Sequence, residues 1–181
     1  MGSSESILDA DLGILFRNKG LDELINQLRL HVKKFNVDYD DLINRSIRSP
    51  FFSMLYFIFK HDGVKDWWSG LKLSDKHTGN AHTIQYHHIF PKSLLKDYDK
   101  KEINEIANMA FIGGKANRHI TNKEPIDYME KIVQEQGEEA LTSQLIPTNR
   151  DMWELSKYRD FLMFRRKAIA ELINKFMGKF E

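Results

Sequence analysis

The sequence predicts a mainly α protein of the α+β class, a helical scaffold with a compact strand, loop, strand and helix insert. Three observations predict it. Apolar residues recur at helical spacing on both sides of the chain's middle; the middle abandons that period for two short strand-like runs; and the same stretch gathers His, Asn and Lys. At 181 residues the chain is long enough for one domain, or one domain with a small satellite, and a core of useful size.

The elements follow in order. Met1 to Ser6 lacks the positive and long apolar regions of a secretory signal and reads as a solvated tail or an appended remnant. Leu21, Leu24, Ile25, Leu28, Val32 and Phe35, with Gly20 before and Asn36 after, form the apolar stripe of an amphipathic helix. Tyr39 to Ile47 reads as a second helix. Ser49-Pro50 supplies an N-cap and a first helical position for the run Phe51 to Phe59, which ends near His61-Asp62-Gly63. That run is apolar nearly all round and so predicts a buried helix; a strand is the alternative, because periodicity does not decide short apolar runs. Trp67-Trp68 reads as a packing cluster in preference to a ligand platform.

From Lys76 to His82 the chain turns polar, then Thr83 to Tyr86 alternates like a strand and leads into His87-His88-Ile89-Phe90-Pro91. Lys92 to Tyr98 and Lys101 to Ala107 predict single helical turns, Met109 to Ile112 a second strand closed by Gly113-Gly114, and Lys115 to Ile120 the start of a helix. Pro125 opens a helix that Gly137 stops after Gln136, and Glu138 to Leu145 makes another before Pro147. Leu155, Tyr158, Leu162, Ile169, Leu172, Ile173 and Phe176 mark the longest amphipathic helix, on which Arg165-Arg166-Lys167 reads as a solvated face. No internal repeat occurs. The expected organisation is a tail over 1–6, an N-terminal helical scaffold over 7–75, the chemical core over 76–124, and C-terminal helices over 125–181.

Composition narrows the function. Hydrophobic residues make up 41% and aromatics 12%, with 4 Pro and 10 Gly, which is a folded globular composition. The absence of Cys excludes disulfides, iron–sulfur clusters, thiol catalysis and cysteine-ligated zinc. With 27 basic against 26 acidic residues the net charge is +1, so any grip on nucleic acid must be local. No run of about 18 apolar residues offers a membrane span. The expectation is a soluble protein of the bacterial cytoplasm.

The chemistry concentrates at His87-His88. Adjacent imidazoles on a regular strand point to opposite faces, so a loop or bulge is needed to bring both to one site. Imidazole is the natural general base near neutral pH and also a metal ligand. Asn108 follows His88 by 20 residues, just before the second strand, and Asn117 follows by 9 more, at the start of the next helix. Asn oxygens ligate hard cations and Asn amides pin turns.

Tyr86-His87-His88-Ile89-Phe90-Pro91-Lys92-Ser93, Asn108-Met109-Ala110-Phe111 and Lys115-Ala116-Asn117-Arg118 together resemble an HNH endonuclease over residues 87–123. The resemblance implies a ββα-metal finger, two strands, a long loop and a helix holding one divalent ion. It places His87 and Asn117 as metal ligands, His88 as general base, and Asn108 as the residue that holds the loop and orients the base. Arg118 and Lys115 would lie near the scissile phosphate; Lys92, His119 and Lys123 would add nucleic-acid contacts. The last motif residue is Asn where many members have His. Mg²⁺ is the expected ion, Mn²⁺ and Ni²⁺ also suit the donor set, and no organic cofactor is implied.

A broader resemblance adds Ile103 to Asn108, Asn117-Arg118-His119-Ile120, Pro125-Ile126-Asp127-Tyr128, Leu145-Ile146-Pro147 and Phe161 to Arg166. These segments are similar to the C-terminal nuclease module of GmrSD-type, modification-dependent restriction systems. That implies double-stranded DNA as substrate, a role in phage defence, and an N-terminal nucleotide-hydrolysing sensor domain or subunit as partner; this chain carries no P-loop Gly-Lys-Ser/Thr. The alternative reading is a catalytically inactive nucleic-acid-binding module or helical interaction module.

Overall fold

A computed structural model describes residues 4–17, 22–26, 36–74, 84–113, 120 and 122–180. The chain divides into two units, Met1–Asn36 and Val37–Glu181. In the first, helix α1 spans Ser4–Phe16 with Leu8, Leu12, Leu15 and Phe16 exposed. Within the stripe predicted from Leu21 to Phe35, residues 22–26 are helical and the rest lies outside the described residues.

In the second unit the first expectation to fail is the helix over Tyr39 to Ile47. The chain makes one 3-10 turn, Tyr39–Leu42, and stops. Asn44 adopts a left-handed φ of 59°, which Asn tolerates better than most residues, and its N–H donates to the Glu105 carboxylate at 2.9 Å. Ser46 then bridges to Glu105. A buried carboxylate outcompetes the local helical ladder.

Helix α2, Pro50–His61, begins as its sequence predicts, with the Ser49 hydroxyl accepting from Phe51 N–H and Pro50 in the first turn. It is less buried than its composition suggests: Leu55, Ile58 and Phe59 are inside, while Phe57 remains 58% exposed. Strand β1, Ile84–His88, pairs antiparallel with strand β2, Met109–Gly113. Between them lie a 3-10 turn at Lys92–Leu94, the one-turn helix α3 at Lys100–Ile103, and a second 3-10 turn at Ile106–Asn108. Helix α4, Pro125–Gln136, ends at Gly137 with φ 81°, where a non-glycine residue would be strained. The short helix α5 covers Glu139–Thr142, and the long helix α6 covers Tyr158–Met177.

The ribbon of two strands divides the core. On one face Ala110 and Ile112 join Trp67, Ile89, Phe90, Tyr128, Met129, Trp153 and Phe161; on the other Phe111 joins Leu42, Leu55, Ile58, Phe59, Ile169 and Ile173. Helix α6 serves both, Tyr158, Phe161 and Leu162 entering the first cluster and Ile169, Ala170, Ile173 and Phe176 the second. At its middle, Arg165 and Arg166 are buried, not solvated. Arg166 binds both oxygens of the fully buried Glu105, and Arg165 lies with its guanidinium 6.0 Å from the Phe161 ring centre. Burial pulls the Arg165 guanidinium down to about 9.

A two-stranded ribbon is marginal alone, and its unpaired edge must be satisfied. Along β2 the fully buried Gln144 carboxamide does so: Phe111 N–H donates to its oxygen at 2.9 Å, and its NH₂ donates to Phe111 O at 2.8 Å and Lys65 O at 3.0 Å. Gly113 N–H donates to the buried Asp66 carboxylate at 2.9 Å. Side chains replace a third strand.

Gln144→Ala strands those backbone groups in the core and is expected to destabilise the protein by about 3 kcal/mol. Gln136→Ala removes an exposed amide that donates to Trp68 O at 3.4 Å, and should change stability by less than about 0.5 kcal/mol. Urea denaturation of both variants measures the contrast; equal effects would refute the account of the β2 edge.

Candidate active site

The register of the ribbon is unbroken, pairing Ile84 with Gly113, Tyr86 with Phe111, His87 with Ala110 and His88 with Met109. No bulge interrupts it, so consecutive side chains of β1 leave on opposite faces. His87 is only 6% exposed, its ring centre 6.4 Å from that of Trp67 and 6.5 Å from that of Tyr128, on the side of the first cluster. His88 is half-buried on the other side, shared with Tyr86 and Phe111. Both rings stand at the C-terminal end of the strand.

The chain leaving β1 is clamped. Ile89 N–H donates to Asn108 O at 2.8 Å, and Phe90 N–H donates to the Asn108 side-chain oxygen at 2.8 Å. The Asn108 NH₂ donates to Phe90 O at 3.1 Å and Ile103 O at 3.0 Å, and the Tyr128 hydroxyl donates to Ile89 O at 2.6 Å. Asn108 is fully buried, so these bonds are shielded from water. One carboxamide thus ties the β1 exit to the segment that enters β2.

The side chain that touches His88 is a different carboxamide. Asp99 caps α3 by accepting from Lys101 N–H, and the helix ends after one turn at Asn104. The Asn104 NH₂ donates to Lys100 O at 2.8 Å, which turns its oxygen toward His88 Nε2 at 3.3 Å. An amide oxygen only accepts, so Nε2 carries the proton and Nδ1 keeps its lone pair. Desolvation, reinforced by the positive charge of Lys92, pushes the His88 imidazole down to about 4, and the ring is neutral at pH 7. The arrangement can hold an imidazole in one tautomer with its other nitrogen ready to take a proton.

Of the other residues singled out in the sequence, Lys92 and Lys123 are exposed. Lys115, Asn117, Arg118 and His119 lie outside the described residues. Among the described residues no group of three His, Asp or Glu converges in a metal-binding arrangement. Of the donor set read from the sequence, His87 lies by Trp67 and Tyr128 on the face of β1 opposite His88, so the loop or bulge expected to bring both imidazoles to one site is not formed. The carboxamide oxygen that remains suits an ion that keeps most of its own water, as Mg²⁺ does. Asn104 was missed because the motif spacing leads to Asn108; the available signal was Asp99, whose capping position sets a short helix ending at a second Asn.

Two outcomes follow from this geometry. Side-chain nitrogen NMR should show the Nε2–H tautomer for His88, and Asn104→Ala should give a tautomer mixture without unfolding the protein. Asn108→Ala should instead cost about 3 kcal/mol of stability, because it leaves buried backbone groups unpaired. An Nδ1–H tautomer in the unaltered protein would contradict the assignment.

No curated protein and no solved structure matches the chain. The family model described as the C-terminal domain of GmrSD restriction endonucleases matches residues 39–161. Those residues include the whole ribbon, its clamps and the first turn of α6. The chain belongs to the family of GmrSD restriction endonuclease C-terminal domains.

Proposed function

We propose that this protein is a divalent-metal-dependent endonuclease domain of HNH type that hydrolyses DNA phosphodiester bonds, the nuclease part of a phage-defence or modified-DNA restriction protein of the bacterial cytoplasm. The observation that carries the reading is the His88–Asn104 pair, an imidazole fixed in one tautomer at the end of a clamped strand. Membership of a restriction endonuclease family supports it. Among the described residues no helix is long and apolar enough to cross a membrane.

In this reading His88 Nδ1 takes a proton from a water molecule as its oxygen attacks phosphorus. The bond from phosphorus to the 3′ oxygen breaks, and that oxygen takes a proton from solvent, leaving a 5′-phosphate and a 3′-hydroxyl. Asn104 is a positioning residue, holding the ring by Nε2 so that Nδ1 keeps its lone pair. Asn108 acts one step further back, fixing the backbone on which His88 stands. Asn117 would help hold the divalent ion, which when bound supplies electrostatic stabilisation of the charge developing on the phosphate and leaving oxygen. His87, on the opposite face of β1 from His88 and packed against Trp67 and Tyr128, is not assigned to that ion. Lys92, Lys115, Arg118, His119 and Lys123 would contact the DNA backbone; residues 81–123 carry seven Lys and Arg against four Asp and Glu. This modest surplus makes DNA binding weak and salt-sensitive unless an N-terminal nucleotide-hydrolysing domain or subunit adds contacts.

The full chain with Mg²⁺ is expected to cut plasmid DNA, and EDTA to stop it. His88→Ala should lower the rate by at least about 10²-fold while DNA binding persists. Asn117→Ala should in addition reduce the thermal shift produced by divalent ions. Cleavage at the unaltered rate by His88→Ala would overturn the mechanism.

A further inference from the structure

Beside His88, on the same side of β1, lies a groove of about 310 Å³ lined by Phe52, Ser53, Tyr56, Gln85, Tyr86 and Phe111. Its aromatic wall is organised. The Phe52 ring stacks on Phe111 at 5.0 Å and meets Tyr86 edge-on at 6.0 Å, and Tyr56 lies 5.0 Å from Phe111. Phe111 is buried, whereas Tyr86 keeps 49% of its surface open. The lining holds no Asp, Glu, Lys, Arg or His, and Lys60 Nζ stands 5.6 Å from the Tyr56 ring centre. That combination is an aromatic surface with a cation beside it and no carboxylate among its lining residues.

We infer that this groove is a stacking slot for one unpaired nucleobase of the DNA, the base of a nucleotide next to the phosphate presented to His88. The inference rests on the nuclease reading for the position of that phosphate. Tyr86 and His88 are two residues apart on one strand face, about 7 Å. Stacked nucleotides advance about 3.4 Å along a strand and keep their bases inside the duplex, so only a base swung out of the stack reaches Tyr86 while its neighbouring phosphate lies at His88. Ring-on-ring stacking accepts any base, and Lys60 beside Tyr56 and the exposed Lys92 near His88 offer positive charge to the backbone. The slot therefore selects DNA that is single-stranded or easily unstacked at the cut.

The test uses the full chain carrying His88→Ala, without metal, so that binding is read apart from cleavage. The probe is a short single-stranded oligonucleotide with one 2-aminopurine, compared with the same oligonucleotide abasic at that position. Quenching of the 2-aminopurine is expected, with an affinity loss of roughly tenfold on Tyr86→Ala, retention on Tyr86→Phe, and loss again on Ser53→Phe, which fills the groove. The abasic oligonucleotide should bind roughly tenfold more weakly and be insensitive to Tyr86→Ala. Equal effects of Tyr86→Ala on the intact and abasic probes, or no quenching, would overturn the slot. So would concentration-dependent self-association that Tyr86→Ala abolishes while DNA binding is unchanged, since the groove would then serve a second copy of the chain. Base-dependent binding in a protein that never cuts DNA would sink the nuclease reading alone.

Discussion

The structure depends on buried side-chain amides and carboxylates that complete a sheet too small to complete itself. Five-residue strands in a single antiparallel pair cannot satisfy both their edges or resist fraying in water. Gln144 and Asp66 occupy the open edge of β2, and Asn108 closes the exit of β1 onto its partner. Each is almost wholly removed from solvent, so each bond is strong and each missing partner is costly. The ribbon is consequently held at both ends, and His87 and His88 project from a fixed backbone.

A second chain of constraints reaches His88 from helix α6. Arg166 binds both oxygens of Glu105, and Arg159 binds both oxygens of Glu102. The Tyr158 hydroxyl also donates to Glu102 O at 2.9 Å. These contacts fasten the segment 102–105, on which Asn104 stands, to a 20-residue helix rooted in both hydrophobic clusters. The inner pair matters more. Glu105 is fully buried and also receives the Asn44 N–H, whereas Arg159 is largely exposed, so solvent screens its bond. Packing energy along α6 is thereby converted into the position of one carboxamide beside one imidazole.

How much of this was legible in the sequence depended on whether the signal was local. Ser49-Pro50, Pro125 and Gly137 set helix boundaries through capping and φ, which neighbouring residues decide, and the structure follows them. The alternation of Thr83 to Tyr86 and the short apolar run Met109 to Ile112, closed by glycine, located both strands, because each is a local pattern. What failed was decided at a distance. The expected helix from Tyr39 stops because Glu105, some sixty residues on, claims the Asn44 N–H. Arg165 and Arg166 read as a solvated face, since charge predicts exposure until a buried carboxylate is known. Asn104 was hidden by Asn108 four residues later: spacing identifies a motif, but only the fold shows which amide oxygen meets the ring.

Strand alternation is what gives adjacent residues of β1 unlike surroundings. His87 is turned into the aromatic cluster of Trp67 and Tyr128, while Tyr86 and His88 share the opposite, more open side. A slip of one residue would exchange them, putting Tyr86 in the first core and the His88 ring where His87 now packs. Gly113 helps forbid that slip. It pairs with Ile84 at the far end of the ribbon, its N–H donates to Asp66, and a Cβ there would come within 3.1 Å of the same carboxylate oxygen. A larger residue brought to that position would have to push away the carboxylate that also accepts from Trp68 N–H and the Ser69 hydroxyl. The register is therefore anchored at Gly113 by close approach and at Asn108 by hydrogen bonding, and between those two points the face on which each histidine stands is decided.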